Sequence, residues 1–265
     1  MGGHTSCWSV ELPTGETLVL DAGSGLRALG TRGRSTGGTF EVLLTHRHLD
    51  HLDGLPHFAP LYANDARVRV RCASVGAGDL RASLRTILSP PLFPVSFDQL
   101  ARTLDVASCD GRPATYLDHQ LEVAQTMAQH PGGAGIYRIA DASGPLFAYA
   151  PDNELAERAG DAQVATWRRE LAVFLRDVPV LVHDATYVDD ELVQHAGWGH
   201  SSAEEATRLA LACGAGTLVL HHHHPDRTDD DVARIVERCQ AIVDRERSSM
   251  KLVAGVEGLT VRVEG

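Results

Sequence analysis

Residues 45 to 51, Thr45-His46-Arg47-His48-Leu49-Asp50-His51, put four potential metal ligands within six residues, straight after the apolar run Phe40-Glu41-Val42-Leu43-Leu44. That run reads as a buried strand ending at the histidines. Side chains two apart on an extended backbone point the same way, so His46 and His48 can grip one ion while Asp50 and His51, as the chain turns, reach another. For any two of these residues a histidine-rich surface loop would be a sufficient explanation. Four in this order read as a nest for two metals.

The run resembles the His-x-His-x-Asp-His signature of the metallo-β-lactamase superfamily of metal-dependent hydrolases, and later parts of the chain extend the match. Two further ligand-type residues stand at predicted strand ends: His130, in His130-Pro131-Gly132-Gly133, and Asp152, in Ala150-Pro151-Asp152-Asn153. Alone, each would more often be a turn or capping residue. In order after the histidine loop they match the family's third-motif histidine and its metal-bridging aspartate. Asp21, directly after Thr17-Leu18-Val19-Leu20, matches a structural residue near the metal loop; an Asx turn at a strand end is the plainer alternative. Relatives have another strand before the Gly2-Gly3 segment, so the first sheet is expected to be less complete at its edge, or the chain shortened.

With 265 residues, 43% of them hydrophobic and 22% charged, one large domain spanning 1–265 is expected. No apolar stretch approaches a membrane span of ~20 residues, and the start lacks a basic segment followed by an apolar one. Five widely spread cysteines (Cys7, Cys72, Cys109, Cys213, Cys239) suggest neither disulfides nor a thiolate metal site, which fits a reducing cytoplasm. A formal net charge of −11 argues against long RNA or DNA as partner. A small anionic substrate and no membrane are expected, with a homodimer left open.

Along the chain, Trp8–Leu12 and Thr17–Leu20 read as a hairpin turning at 13–16, residues 53–62 as a short helix, 67–71 as a half-exposed strand and 78–88 as a helix. Ser89-Pro90-Pro91-Leu92-Phe93-Pro94 cannot be regular structure; it lies over an active site as a lid or simply crosses the surface. Strands follow at 121–127, 134–139 and 145–150, a helix near 161–176, and a buried strand at 179–182 ending in His183-Asp184-Ala185-Thr186. Trp198-Gly199-His200-Ser201-Ser202 precedes a helix whose Ser202 and Glu205 have capping-box spacing. Thr217–Leu220 ends in His221-His222-His223-His224, a helix fills 229–247, and a last strand is expected at 259–263. Asp118 and His119 lack a matching context and read as surface.

This order resembles the superfamily's α+β fold, a four-layer αββα sandwich with ligands gathered at one edge. The resemblance implies that His46, His48 and His130 hold one divalent metal, that Asp50, His51 and His222 hold the other, and that Asp152 bridges. His222 follows from counting one spacer residue past Leu220, as relatives do. Nitrogen and carboxylate ligands without thiolates suit Zn2+, and Mn2+ or Fe would accept the same set. Two cations ~3.5–4 Å apart can share a water and clamp the oxygens of an in-line displacement. His-Asp-Ala-Thr with Gly-His-Ser resembles the phosphodiesterase branch, which includes cyclic-nucleotide and phosphonate-pathway phosphodiesterases and the transfer-RNA 3′-processing nucleases. The implied reaction is attack on a small phosphodiester, such as a cyclic nucleotide, by a hydroxide held between the metals. His200 would assist the leaving oxygen, Asp184 would orient His200, and Asp50 would count in the catalytic set as well as among the ligands. The nucleases usually have Glu in place of Asp184 and an extended basic arm absent here; true β-lactamases lack the His200 segment. The alternatives are a thioester or lactone hydrolase on the same metals, or a metal-binding regulatory module without turnover.

Overall fold

The computed structural model describes residues 2–12, 16–31, 37–74, 76–109, 112–117, 120–155 and 162–263. Pro13-Thr14-Gly15 of the expected turn, Asp118 and His119, and the first residue of the helix expected near 161 lie outside them. The chain divides into two compact units, residues 4–120 and residues 121–265 with the first three.

In the first unit the expected hairpin forms: β1 (Trp8–Glu11) runs antiparallel to β2 (Thr17–Leu20). From β2 the sheet continues in parallel through β3 (Gly38–Leu44), β4 (Ala66–Cys72) and the short β5 (Leu104–Val106). Parallel neighbours need crossovers; helix α1 (Gly25–Thr31) lies in the first and α2 (Ala77–Ile87) in the last. β4 buries Ala66, Val68, Val70 and Cys72 in alternation, as its arginine-valine pattern requires. The helix expected at 53–62 does not form. Leu49–His51, Leu55–His57 and Ala59–Tyr62 are separate 3-10 turns, because Pro56 and Pro60 lack the N–H that a continuous helix would use. In the proline loop Leu92 is exposed, and the Phe93 ring lies 6.1 Å from that of His57. A short strand β6 (Ala114–Tyr116) follows.

The second unit begins as an antiparallel meander, β7 (Leu121–Met127), β8 (Gly135–Asp141) and β9 (Gly144–Ala150). It continues in parallel through β10 (Val180–Asp184), β11 (Thr217–His221) and β12 (Lys251–Ala254), with helices α3 (Ala162–Phe174), α4 (Ala203–Cys213) and α5 (Asp229–Arg245) in the crossovers. α4 starts on the Ser202 half of the expected capping box: its hydroxyl accepts the Glu205 N–H at 3.0 Å, and Ala206, Leu209, Ala210 and Cys213 face inward. The strand expected at 259–263 is not there. Lys251–Ala254 takes the place beside β11 as soon as α5 ends, and after Gly255 and Gly258 the chain joins no ladder among the described residues.

Candidate metal centre

In the first unit the ligand-type residues follow the C-terminal ends of the parallel strands β2 and β3, where an α/β sheet opens its crevice. Asp21, one residue past β2, is fully buried at φ 58°, a left-handed conformation uncommon outside glycine. Its carboxylate accepts the Thr45 backbone N–H at 2.7 Å, the Thr45 hydroxyl at 3.0 Å and His51 Nδ1 at 2.8 Å. Since the single hydroxyl hydrogen of Thr45 goes to Asp21, His46 Nδ1, 3.0 Å from that oxygen, must be the donor. His46 and His51 are thus fixed with the proton on Nδ1 and the lone pair on Nε2, the arrangement that metal-ligating histidines adopt. Both are buried, while His48 is exposed. The His46 ring lies 4.4 Å from that of His48 and 4.2 Å from that of His51, and Asp50 Oδ2 is 3.2 Å from His51 Nε2. Gly54 makes this compactness attainable: a Cβ there would fall 2.0 Å from the Gly23 carbonyl oxygen.

The second unit brings His130, Asp152, Asp184, His200 and His222 together from the β7–β8 turn, the ends of β9, β10 and β11, and the loop before α4. Asp152, 2% exposed, turns Oδ2 to His130 Nε2 at 3.8 Å and Oδ1 to His222 Nε2 at 3.5 Å. Both distances are beyond ordinary hydrogen bonding. They are close to the ~3.4 Å that separates two donors ~2.1 Å from one tetrahedral ion. The other nitrogens are spoken for. His130 Nδ1 donates to the Gly199 carbonyl at 3.0 Å. The Thr186 hydroxyl lies 2.7 Å from Asp184 Oδ1 and 2.8 Å from the His222 carbonyl, neither of which has a proton to give. His222 Nδ1, 3.0 Å from that hydroxyl oxygen, therefore donates to it. His222 stands at φ 57°, so the chain accepts strain to aim this residue.

Asp184, His200 and His222 each offer a ligand-type atom, all within 4.8 Å of one another. Asp184 is nevertheless no candidate ligand. It is fully buried, and its two oxygens accept Thr186 N–H and hydroxyl on one side and Asn153 N–H and His200 Nδ1 on the other, the last at 2.8 Å. Burial pulls the pKa of His200 down, but the hydrogen bond and charge of Asp184 outweigh it and hold the ring above the ordinary imidazole range. His183, buried beside it, is pushed the other way by burial; it donates from Nδ1 to the Asp184 carbonyl and accepts the Asn153 amide on Nε2.

Four residues without a role in the sequence reading turn out to build the site: Asn153, Thr186, Gly199 and Glu154. Glu154 accepts the backbone N–H groups of Gly197 and Gly199 at 2.8 and 2.9 Å. Gly199 has φ 86°, and a Cβ on it would sit 2.2 Å from His130 Nδ1. Each adjoins or lies two residues from a ligand-type residue, which is the signal available in sequence.

A model of the β-lactamase superfamily domain matches residues 16–223. The chain belongs to the β-lactamase superfamily. It is a hydrolase of the metallo-β-lactamase fold, in the α+β class expected, and its clustered His and Asp side chains provide for divalent metal ions. It is similar to Ribonuclease Z of Haloarcula marismortui, 23% identical over 285 residues that cover 94% of this chain and 88% of that one. Among solved structures, the metallo-β-lactamase fold protein YhfI from Bacillus subtilis superimposes with a TM-score of 0.72 at 18% identity, covering 96% of this chain and 90% of that one. A diphosphatase from the PhnP family reaches 0.65 at 15% identity, covering 98% and 85%. Among the described residues no helix is long and apolar enough to cross a membrane.

Proposed function

We propose that the chain is a dinuclear metal-dependent phosphodiesterase for small phosphodiesters, cyclic nucleotides among them, and that its two units act as one catalytic domain. On this reading His46, His48 and His130 hold one metal, Asp50, His51 and His222 the second, and Asp152 bridges. Zinc suits the donor set, and manganese or iron would also fit it. When bound, the two cations activate water and offset the charge that develops on the phosphoryl oxygens.

The observation that carries the reading is the His200–Asp184 pair at 2.8 Å, its carboxylate buried and its ring stacked 5.0 Å from that of His222. Asp184 fixes the Nδ1 proton of His200, which leaves Nε2–H of the imidazolium as the proton that can pass to a leaving oxygen. Metal binding alone has no use for such a pair. Nor does a thioester hydrolase, because a thiol with a pKa of ~8.5 leaves readily as thiolate; a departing alkoxide is the group that needs a proton. A lactone would draw on the same acid and is the alternative to separate. The net charge of −11 supports a small substrate over a long polyanion, and five cysteines outside any disulfide support a reducing compartment.

Turnover of metal-loaded protein on a phosphodiester, a lactone, a thioester and a β-lactam tests this directly. The phosphodiester should be hydrolysed with the highest kcat/KM. A lactone or thioester that outran it would overturn the reading.

A further inference from the structure

Trp198 stands two residues before His200, so their Cα atoms are at most about 7.6 Å apart, and it is 59% exposed. Exposed apolar side chains scattered singly are ordinary, but this one is mounted rigidly. The Glu154 carboxylate holds the N–H groups on both sides of it, those of Gly197 and Gly199, and its own N–H donates to the His195 carbonyl at 3.1 Å. Its ring meets that of His195 edge-on at 5.1 Å, and His195 stacks on Tyr187 at 4.1 Å and 15°. Tyr187 in turn meets His200 edge-on at 6.2 Å. A continuous set of rings therefore runs from the exposed indole to the histidine read above as the leaving-group acid. The segment 187–200 that builds it carries Asp189, Asp190 and Glu191 and no Lys or Arg. The three acids are each paired with an arginine from outside the segment, Arg208, Arg238 and Arg227, so the segment adds no net positive charge for a string of phosphates. With a net charge of −11 over the chain, a single planar ring is favoured over a polynucleotide.

We propose that Trp198 is a stacking platform for the planar ring of the leaving alcohol, so that the substrate is a phosphodiester of a nucleoside. This deepens the phosphodiesterase reading and rests on its placing of His200. Aromatic stacking suits it because every nucleobase presents a π face, whatever its hydrogen-bonding edge.

Calorimetric titration of the metal-loaded protein with adenosine 5′-monophosphate and with ribose 5-phosphate isolates the base, since the two probes share the sugar and the phosphate. The nucleotide should bind about five- to a hundredfold more tightly, the range expected for one stacked base. Trp198→Ala should bring that ratio close to one, and Trp198→Phe should keep most of it. Retained binding of ribose 5-phosphate by both variants shows that the site is still folded. A ratio near one in the unaltered protein, or a ratio that survives Trp198→Ala, overturns the proposal. If a Trp198-dependent ratio appears in protein that turns over no phosphodiester, the platform stands and the phosphodiesterase reading falls. Phosphodiester turnover with a ratio of one gives the reverse.

Discussion

The two units set up their ligand-type residues in opposite ways. In the first, His46, His48, Asp50 and His51 come from one turn, and a single buried carboxylate, Asp21, fixes the Thr45 backbone and the His51 ring together. In the second, His130, Asp152, His200 and His222 come from four separate places. The three histidines are each aimed by a different partner: His130 by the Gly199 carbonyl, His222 by the Thr186 hydroxyl and His200 by the Asp184 carboxylate. A contiguous set can be oriented from one point, whereas a dispersed set needs as many anchors as it has members. The first should therefore fail as a unit when its anchor is altered, and the second residue by residue.

The largest effect should come from the residue that escapes this contrast by serving two partners. Asp152→Ala removes the oxygens facing both His130 and His222. It should abolish turnover and lower the content of both metals, as read by elemental analysis; loss of one ion alone would deny it the bridge. Next, His222→Ala should cost far more activity than His221→Ala or His224→Ala, because His222 alone of the four stands at φ 57° against Thr186. A greater loss at His223 would shift the ligand by one residue. Asp21→Asn should weaken metal binding by about 10–100-fold, the usual cost of losing the group that orients a ligating histidine, and should weaken it at both ions of the histidine turn together. The smallest effect lies outside the contrast: Ser202→Ala removes the cap of α4 and should lower stability by about 1 kcal/mol in denaturant unfolding with metal content unchanged.

The same contrast explains what could be read from the chain. The histidine turn was legible because sequence spacing there is nearly spatial spacing, and Leu43-Leu44 before it announces the strand. His130, Asp152 and His222 needed the order of a known family to stand out, since one histidine or aspartate at a strand end looks like any turn residue. Thr186 stood out only as part of His183-Asp184-Ala185-Thr186 and Glu154 only as a near neighbour of Asp152; what each does was not legible, because it lies in bonds to backbone groups 36 and 43 residues away. The proline-broken 3-10 turns after the metal loop and the absent strand at 259–263 failed for a related reason. Local periodicity suggested elements that Pro56 and Pro60, and the earlier pairing of Lys251–Ala254, had already foreclosed. Strands of three residues, such as Leu104–Val106, are too short to show a period.

The most direct test of the account is the leaving-group dependence of His200→Ala. If His200 gives a proton to the departing oxygen, the variant should keep its metals and lose about 10²–10⁴-fold in turnover on a phosphodiester with an alkyl or ribose leaving group. The loss should shrink sharply for nitrophenol, which leaves without a proton. Equal losses across leaving groups, or loss of metal in the variant, would contradict the account.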